Sequence, residues 1–339
     1  MKKHSVAIGI LISALFLYLA FRRADLGEIY AQLRVARYWI LVPAVALTIL
    51  SLWVRAYRWG FLLHPLKRIG PGTLFSATAI GFMCNNLLPM RLGELIRAFV
   101  IGRSTGVRAS AAFATIVVER LFDLFAMIGL FGFLLVFAPF HNRPFKMGAL
   151  MACIGGLIAL GLLILFHLRP HTCERWLRPL LPRLVRERVL SLLRSFAGGL
   201  EIFRDLPRLL GVAGLTIVMW LLIAIVIKLC FSAARLEELG SPLPPTASLV
   251  SLVVIAIGVM VPSGPGFVGT MHAAAVFGLE IVGYRHADLA LSFAILYHAS
   301  QWVPVVIVGL IYLVKENLSL GQVKRISSER DLEEGDLSR

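Results

Sequence analysis

The segment Asn85-Asn86-Leu87-Leu88-Pro89-Met90-Arg91-Leu92-Gly93-Glu94-Leu95-Ile96-Arg97 sets charge, a proline and a glycine between strongly apolar runs. Residues 72–84 before it and 98–101 after it are each too short to cross about 30 Å of hydrocarbon alone. The segment therefore reads as the broken middle of a re-entrant helical hairpin. Such a backbone persists at membrane depth only inside protein or beside water, because lipid offers free N–H and C=O groups no partner. Asn85 and Asn86 are candidates to cap those groups. On a helix resuming after Pro89, Arg91, Glu94 and Arg97 share one face. Ionisable groups at that depth are functional by default. The competing reading is a cytoplasmic loop leading into an ordinary surface helix.

Composition settles the class. Of 339 residues, 58% are hydrophobic and 16% charged, with a mean hydropathy of +0.83, as in a polytopic all-α membrane protein. A net charge of +15 would suggest nucleic acid in a soluble chain, but these basic residues fall in loops between apolar runs. Membrane orientation and anionic lipid explain them better, and no nucleic-acid partner is expected. Cys84, Cys153, Cys173 and Cys230 are scattered, three of them within apolar runs, so neither a disulfide framework nor a metal site is expected. No cofactor is expected either.

In chain order, the apolar run 6–21 between Lys2-Lys3 and Arg22-Arg23 reads as an anchor, and 25–36 as an interfacial amphipathic helix. A span over 39–63 carries Trp39, Trp53, Tyr57 and Trp59 as interface belts, with Arg55 and Arg58 placed to snorkel toward phosphates. The first hairpin occupies 72–103. The span 109–138 contains Glu119-Arg120-Leu121-Phe122-Asp123, whose charges gather on one side of a helix. A span over 148–168 leads to the Arg-rich segment 169–208, read as amphipathic helices on the cytoplasmic surface. A span over 209–231 precedes a second interrupted region: apolar 247–261, then Pro262-Ser263-Gly264-Pro265-Gly266-Phe267-Val268-Gly269, then 270–282. The same reasoning predicts a second re-entrant hairpin. The last span, 287–314, carries Tyr297, His298 and Gln301, and 316–339 reads as a disordered acidic tail.

With both termini cytoplasmic, this order gives two units, about 5–138 and 146–314, in opposite orientations within one transmembrane domain over 1–315. An inverted-topology repeat with breaks in matching positions, here Pro89 and Pro262, is the architecture of many transporters. The two hairpins are expected to meet near the midplane. Hairpin one supplies Asn85, Asn86, Arg91, Glu94 and Arg97, the following span Glu119, Arg120 and Asp123. Hairpin two supplies Ser263, Gly264 and Gly266, and the last span Tyr297 and His298. Helix starts at Leu92 and Phe267 are expected to aim their positive ends at an anionic group.

Three motifs in this order, Asn86-Leu87-Leu88-Pro89-Met90-Arg91-Leu92-Gly93-Glu94, Glu119-Arg120-Leu121-Phe122-Asp123 and Pro262-Ser263-Gly264-Pro265-Gly266-Phe267-Val268-Gly269, resemble the lysylphosphatidylglycerol synthase transmembrane-domain family. These are also called flippase-like integral membrane proteins, and the resemblance covers about residues 5–315. In the multiple peptide resistance factor this domain is joined to a soluble aminoacyl-transfer domain and is implicated in moving the modified lipid between leaflets. Nothing after Val314 is long enough to fold into such a domain. The resemblance thus implies lipid handling without synthase chemistry.

The expectation is a lipid translocase, not an enzyme, in a bacterial-type inner membrane, acting on a phospholipid, an aminoacylated phospholipid or a lipid-linked sugar. A homo-oligomer or a lipid-enzyme partner is compatible with it. Arg91, Arg97 and Arg120 are the candidate phosphate ligands. Glu94, Glu119 and Asp123 can neutralise them, bind a cationic headgroup or carry protons. Two alternatives stand beside it: a scaffold or regulator of a lipid-modifying enzyme, and an intramembrane hydrolase using Ser263 with His272 or His298.

Overall fold

The computed structural model describes residues 3–22, 24–88, 92–138, 143–168, 186, 190, 205–319 and 321. Pro89, Arg91, nearly all of the Arg-rich segment and the acidic tail from residue 322 lie outside the described residues, so the expectations placed on them stay there.

The described chain is helical throughout. Its elements are α1 (Lys3–Phe21), α2 (Leu26–Val35), a 3-10 turn (Tyr38–Ile40), α3 (Leu41–Leu63), α4 (Pro71–Leu87), α5 (Gly93–Thr105), α6 (Ala109–Phe137) and α7 (Arg143–Leu168). Then come α8 (Leu206–Ala233), the short α9 (Leu236–Leu239), α10 (Ala247–Met260), a 3-10 turn (Pro265–Phe267), α11 (Thr270–Ile281) and α12 (Ala287–Lys315). Among the described residues, four stretches are long and apolar enough to cross a membrane: Tyr38–Leu63, Ala109–Phe137, Leu206–Ala233 and Ala287–Lys315, of 26, 29, 28 and 29 residues. The apolar parts of α1 and α7 are shorter, Gly9–Phe21 and Lys146–Ile158.

Local chemistry accounts for the boundaries. Asp25 caps α2, its carboxylate accepting from the Gly27 N–H at 2.7 Å and the Glu28 N–H at 3.3 Å. Pro71 opens α4, where a missing N–H costs nothing. Gly106, at φ 75°, closes α5 in the left-handed conformation.

Both interrupted regions are antiparallel helix pairs, α4 on α5 and α10 on α11. The first break is narrower than the sequence suggests, because Asn85 and Asn86 still belong to the last turn of α4. Its arms come unusually close: a Cβ on Gly93 would collide with the Gly81 carbonyl. In the second, the helix resumes at Thr270 rather than at Phe267, which stands at φ 57° between Gly266 at 74° and Gly269 at 91°. Left-handed backbone at three of four positions leaves no room for an earlier start.

The two halves use matching contacts. α5 packs on α6 as α11 does on α12, α3 on α4 as α8 on α10, and α3 on α6 as α8 on α12. Across the halves, α4 packs on α12 as α10 does on α6, and α3 lies along α8. One apolar cluster is built mainly from α3 to α6 (Trp59, Ile80, Ile96, Ile116) and another mainly from α8 to α12 (Ile227, Val253, Leu279, Phe293). Polarity is reversed relative to a soluble protein. Leu210, Ile217, Leu221 and Ile225 form an exposed apolar stripe on α8, while Arg58 and Glu119 are fully buried. The chain is a multi-pass, all-α membrane protein.

Candidate functional site

α3, α5 and α6 bring six ionisable side chains into one network. Glu119, on α6, has a fully buried side chain and lies between Arg58 of α3 and Arg97 of α5. Arg58 Nη2 donates to Glu119 Oε1 at 2.9 Å. Its Nη1 donates to Asp123 Oδ1 at 2.6 Å and to Thr216 Oγ1 of α8 at 2.8 Å. Arg97 Nη1 stands 3.0 Å from Glu119 Oε2, but its hydrogen bond goes to Oε1 at 3.2 Å. The Arg97 guanidinium lies 3.9 Å from the centre of the Trp59 ring, and the Trp59 indole N–H donates to Thr115 Oγ1 at 2.9 Å.

The network runs from a dry end to a wet one. Arg58, Arg97 and Glu119 are essentially sealed, whereas the side chains of Arg120 and Glu94 are 38% and 27% exposed. Arg120 reaches three carboxylates: Nε is 3.1 Å from Glu94 Oε1, Nη2 is 3.6 Å from Glu119 Oε1, and Nη1 donates to Asp123 Oδ2 at 3.1 Å. Three arginines thus face three carboxylates. Ions taken this far from water are held by one another, and removing Glu119 strands the buried Arg97, which has no other carboxylate partner among the described residues. Several donors remain unused even so: Arg58 Nε, Arg97 Nε and Nη2 and Arg120 Nε are buried without hydrogen-bond partners.

Asn85 stands beside this network and accepts from the Gly93 N–H at 2.9 Å, so the first free amide of α5 is capped from the facing arm. That amide is therefore already engaged within the protein. The second break is stitched to α1 on one side and to α4 on the other. The Gly264 N–H donates to Ser13 Oγ at 2.8 Å, and the Thr270 hydroxyl donates to Ser263 Oγ and to the Phe267 carbonyl, both at 3.2 Å. At Gly266 a Cβ would lie 2.9 Å from Trp302 Nε1 and 3.5 Å from the Asn86 carbonyl oxygen, so the two breaks touch.

Beyond that contact, His298 Nδ1 and His272 Nε2 are 3.4 Å apart with ring centres at 4.7 Å. Tyr297 is buried and stacks on Phe293 at 5.9 Å. The structure therefore gathers Glu94, Arg97, Glu119, Arg120 and Asp123 into one network with Asn85 beside it. Asn86 and Gly266 meet where the breaks touch, Ser263 and Gly264 face Thr270 and α1 instead, and His298 pairs with His272. Arg91 lies outside the described residues.

Arg58 is the member that sequence reasoning misplaced. It does not snorkel to an interface; it turns inward and joins two carboxylates. A signal existed, because Thr48, Ser51, Arg55 and Arg58 recur at steps of three and four, a polar stripe along an otherwise apolar helix. Thr48 and Ser51 are buried, and Thr48 Oγ1 accepts from Gln301 Nε2 of α12 at 2.7 Å.

This arrangement has known relatives. Residues 6–309 match the family described as lysylphosphatidylglycerol synthase TM region. A UPF0104 membrane protein of Methanothermobacter thermautotrophicus is 27% identical over 316 residues, covering 85% of this chain and 87% of the relative. The glycosyltransferase AglD of Haloferax volcanii is 29% identical over 136 residues, 40% of this chain and 22% of AglD, so only a minor part of that protein is shared. A match running through both broken hairpins and the charged helix between them identifies the chain: it belongs to the lysylphosphatidylglycerol synthase transmembrane-region family.

Proposed function

We propose that this protein moves a phospholipid, an aminoacylated phospholipid or a lipid-linked sugar between membrane leaflets through the site where its two broken hairpins meet. The observation that carries this reading is the graded ion network. A polar headgroup entering hydrocarbon loses its hydration at a cost of several kcal/mol. Arg120 and Glu94, half-open at one end, offer exchangeable partners, while the sealed end of the network keeps the guanidinium groups oriented. Arg120 has three carboxylate neighbours and can give up Glu94 to a phosphate without becoming unpaired. The family name keeps an aminoacylated phospholipid in view, and the name of AglD keeps a sugar-bearing lipid in view.

In this reading the helix pairs are re-entrant, the two units are inverted, and the protein sits in a cell inner membrane with both termini cytoplasmic. The matching contacts of the two halves support it. It acts as a transporter rather than an enzyme, alone, as a homo-oligomer or beside a lipid-modifying enzyme. The test is reconstitution into liposomes carrying labelled lipids of different headgroups, read by leaflet-selective quenching. Accelerated exchange of at least one headgroup class over protein-free liposomes is expected. No acceleration for any class overturns translocation and moves the reading to a scaffold. Topology is tested by single cysteines near Arg183, Ser241 and Lys324: the first and third should label from one side, the second from the other.

A further inference from the structure

Arg55 differs from every arginine of the network. It sits on α3, one turn before Arg58, and among the described residues it has no carboxylate partner. Both oxygens of Asp123 are already engaged, Oδ1 by Arg58 at 2.6 Å and Oδ2 by Arg120 at 3.1 Å. Its guanidinium carbon lies 5.0 Å from the ring centre of Phe82 of α4. A cation–π contact of that kind takes no hydrogen bond from the guanidinium N–H groups. Arg55 is half-buried, and none of its nitrogens is among the sealed, unpartnered atoms that Arg58, Arg97 and Arg120 contribute. The Tyr297 hydroxyl, on α12, which packs against α3, likewise has no hydrogen-bond partner among the described residues and is not sealed.

We infer that Arg55, assisted by the Tyr297 hydroxyl, is the contact for the oxyanion of a monoanionic phosphodiester lipid. Three arginines and three carboxylates cancel, so among the described residues Arg55 is the surplus positive charge of this region, and one negative charge balances it. A zwitterionic headgroup would bring its own cation beside Arg58 and Arg120 and gain less. The planar fork of a guanidinium suits two phosphodiester oxygens, as an ammonium does not. This inference rests on the lipid reading above and names the charge class of the lipid.

Binding to the full-length protein in detergent tests it, with short-chain phosphatidylglycerol, short-chain phosphatidylcholine and inorganic phosphate as probes and the thermal unfolding midpoint as readout. Phosphatidylglycerol should stabilise the parental protein at lower concentration than either other probe. R55Q should weaken that binding about tenfold or more, the worth of one charge-assisted hydrogen-bonded contact. Its midpoint without lipid should fall only slightly, because no ion pair is broken and only the Phe82 contact is lost. Parental binding of phosphatidylcholine equal to that of phosphatidylglycerol overturns the inference, as does R55Q binding at the parental level. Inorganic phosphate acting as well as the lipid overturns the lipid assignment and leaves a free-anion site. Should R55Q fail to fold, Y297F decides, with about threefold weaker binding expected and an unchanged constant overturning the assignment. Because these are binding measurements, a protein that binds as expected yet moves no lipid refutes translocation and leaves the Arg55 site standing.

Discussion

The two broken hairpins solve one problem with different chemistry. Hairpin one interrupts its helix beside a dense set of ions, with Glu94 and Arg97 on its second arm and Glu119, Arg120 and Asp123 on the helix that follows. Hairpin two has no ionisable residue between Ala247 and Met271, and its break is held by left-handed backbone at Gly266, Phe267 and Gly269 and by hydroxyls from Ser13 and Thr270. Equivalent positions in the two halves therefore carry unlike physics: side-chain charge in the first, main-chain geometry in the second. The difference teaches that such an architecture constrains where the chain breaks and leaves open what fills the break. It also predicts unlike sensitivities, since a charge network fails when a charge is deleted and a backbone knot fails when a methyl is added.

The largest effect belongs to the charge side. Glu119→Gln keeps the shape and removes the carboxylate that Arg58 and Arg97 share; Arg58 keeps Asp123, and stranding the buried Arg97 guanidinium costs about 3–5 kcal/mol. Thermal unfolding in detergent should show that loss directly. A Glu119→Gln protein as stable as the parent would mean that water already reaches the sealed end, and the contrast between hairpins would weaken.

Next comes the backbone side. In Gly269→Ala the new methyl meets the Ser13 carbonyl at a residue held at φ 91°, combining overpacking of about 1–3 kcal/mol with a left-handed penalty of about 1–2 kcal/mol. Gly93→Ala meets the Gly81 carbonyl without that penalty, because α5 is right-handed there, so it should lose less. The order of the two unfolding midpoints checks the comparison, and a reversed order would show that the Ser13 contact yields more easily than the contact between the arms of hairpin one.

Most of the architecture was legible in the residues. Apolar runs and their Pro/Gly breaks predicted α3, α6, α8, α10, α11 and α12 to within a few residues, because hydrophobic length and helix-breaking chemistry are local properties. Membership of the charge network was legible where a motif concentrated it, as at Glu119-Arg120-Leu121-Phe122-Asp123. It was not legible at Arg58, where a single arginine near a helix end reads equally as snorkelling outward or turning inward. Only the packing of α3 against α6 and α8 decides between them, and that is set by residues far away in sequence, Asp123 and Thr216 among them. The start of α11 was misplaced for a related reason. Phe267 lacks the glycine that usually marks a left-handed position, yet Trp302 and the contact with α4 hold its surroundings in that form.

The smallest effect is expected at Ser263. Its hydroxyl oxygen accepts one long hydrogen bond, 3.2 Å, from the Thr270 hydroxyl, which also donates to the Phe267 carbonyl at the same distance. Ser263→Ala therefore removes one of two shared acceptors and should cost only about 0.5 kcal/mol, the low end for a single hydrogen bond. The two histidines bond to each other, and among the described residues neither donates to or accepts from Ser263, so a base aligned on the hydroxyl is lacking there. A nucleophilic role would need that alignment, since an unactivated serine hydroxyl is a weak nucleophile. Lipid exchange in liposomes by Ser263→Ala should accordingly stay within about twofold of the parental rate, with a nearly unchanged unfolding midpoint. Loss of the protein's activity with the fold intact would instead make Ser263 a reacting group. Hairpin two would then supply chemistry rather than backbone geometry, and the contrast with hairpin one would have to be redrawn around that hydroxyl.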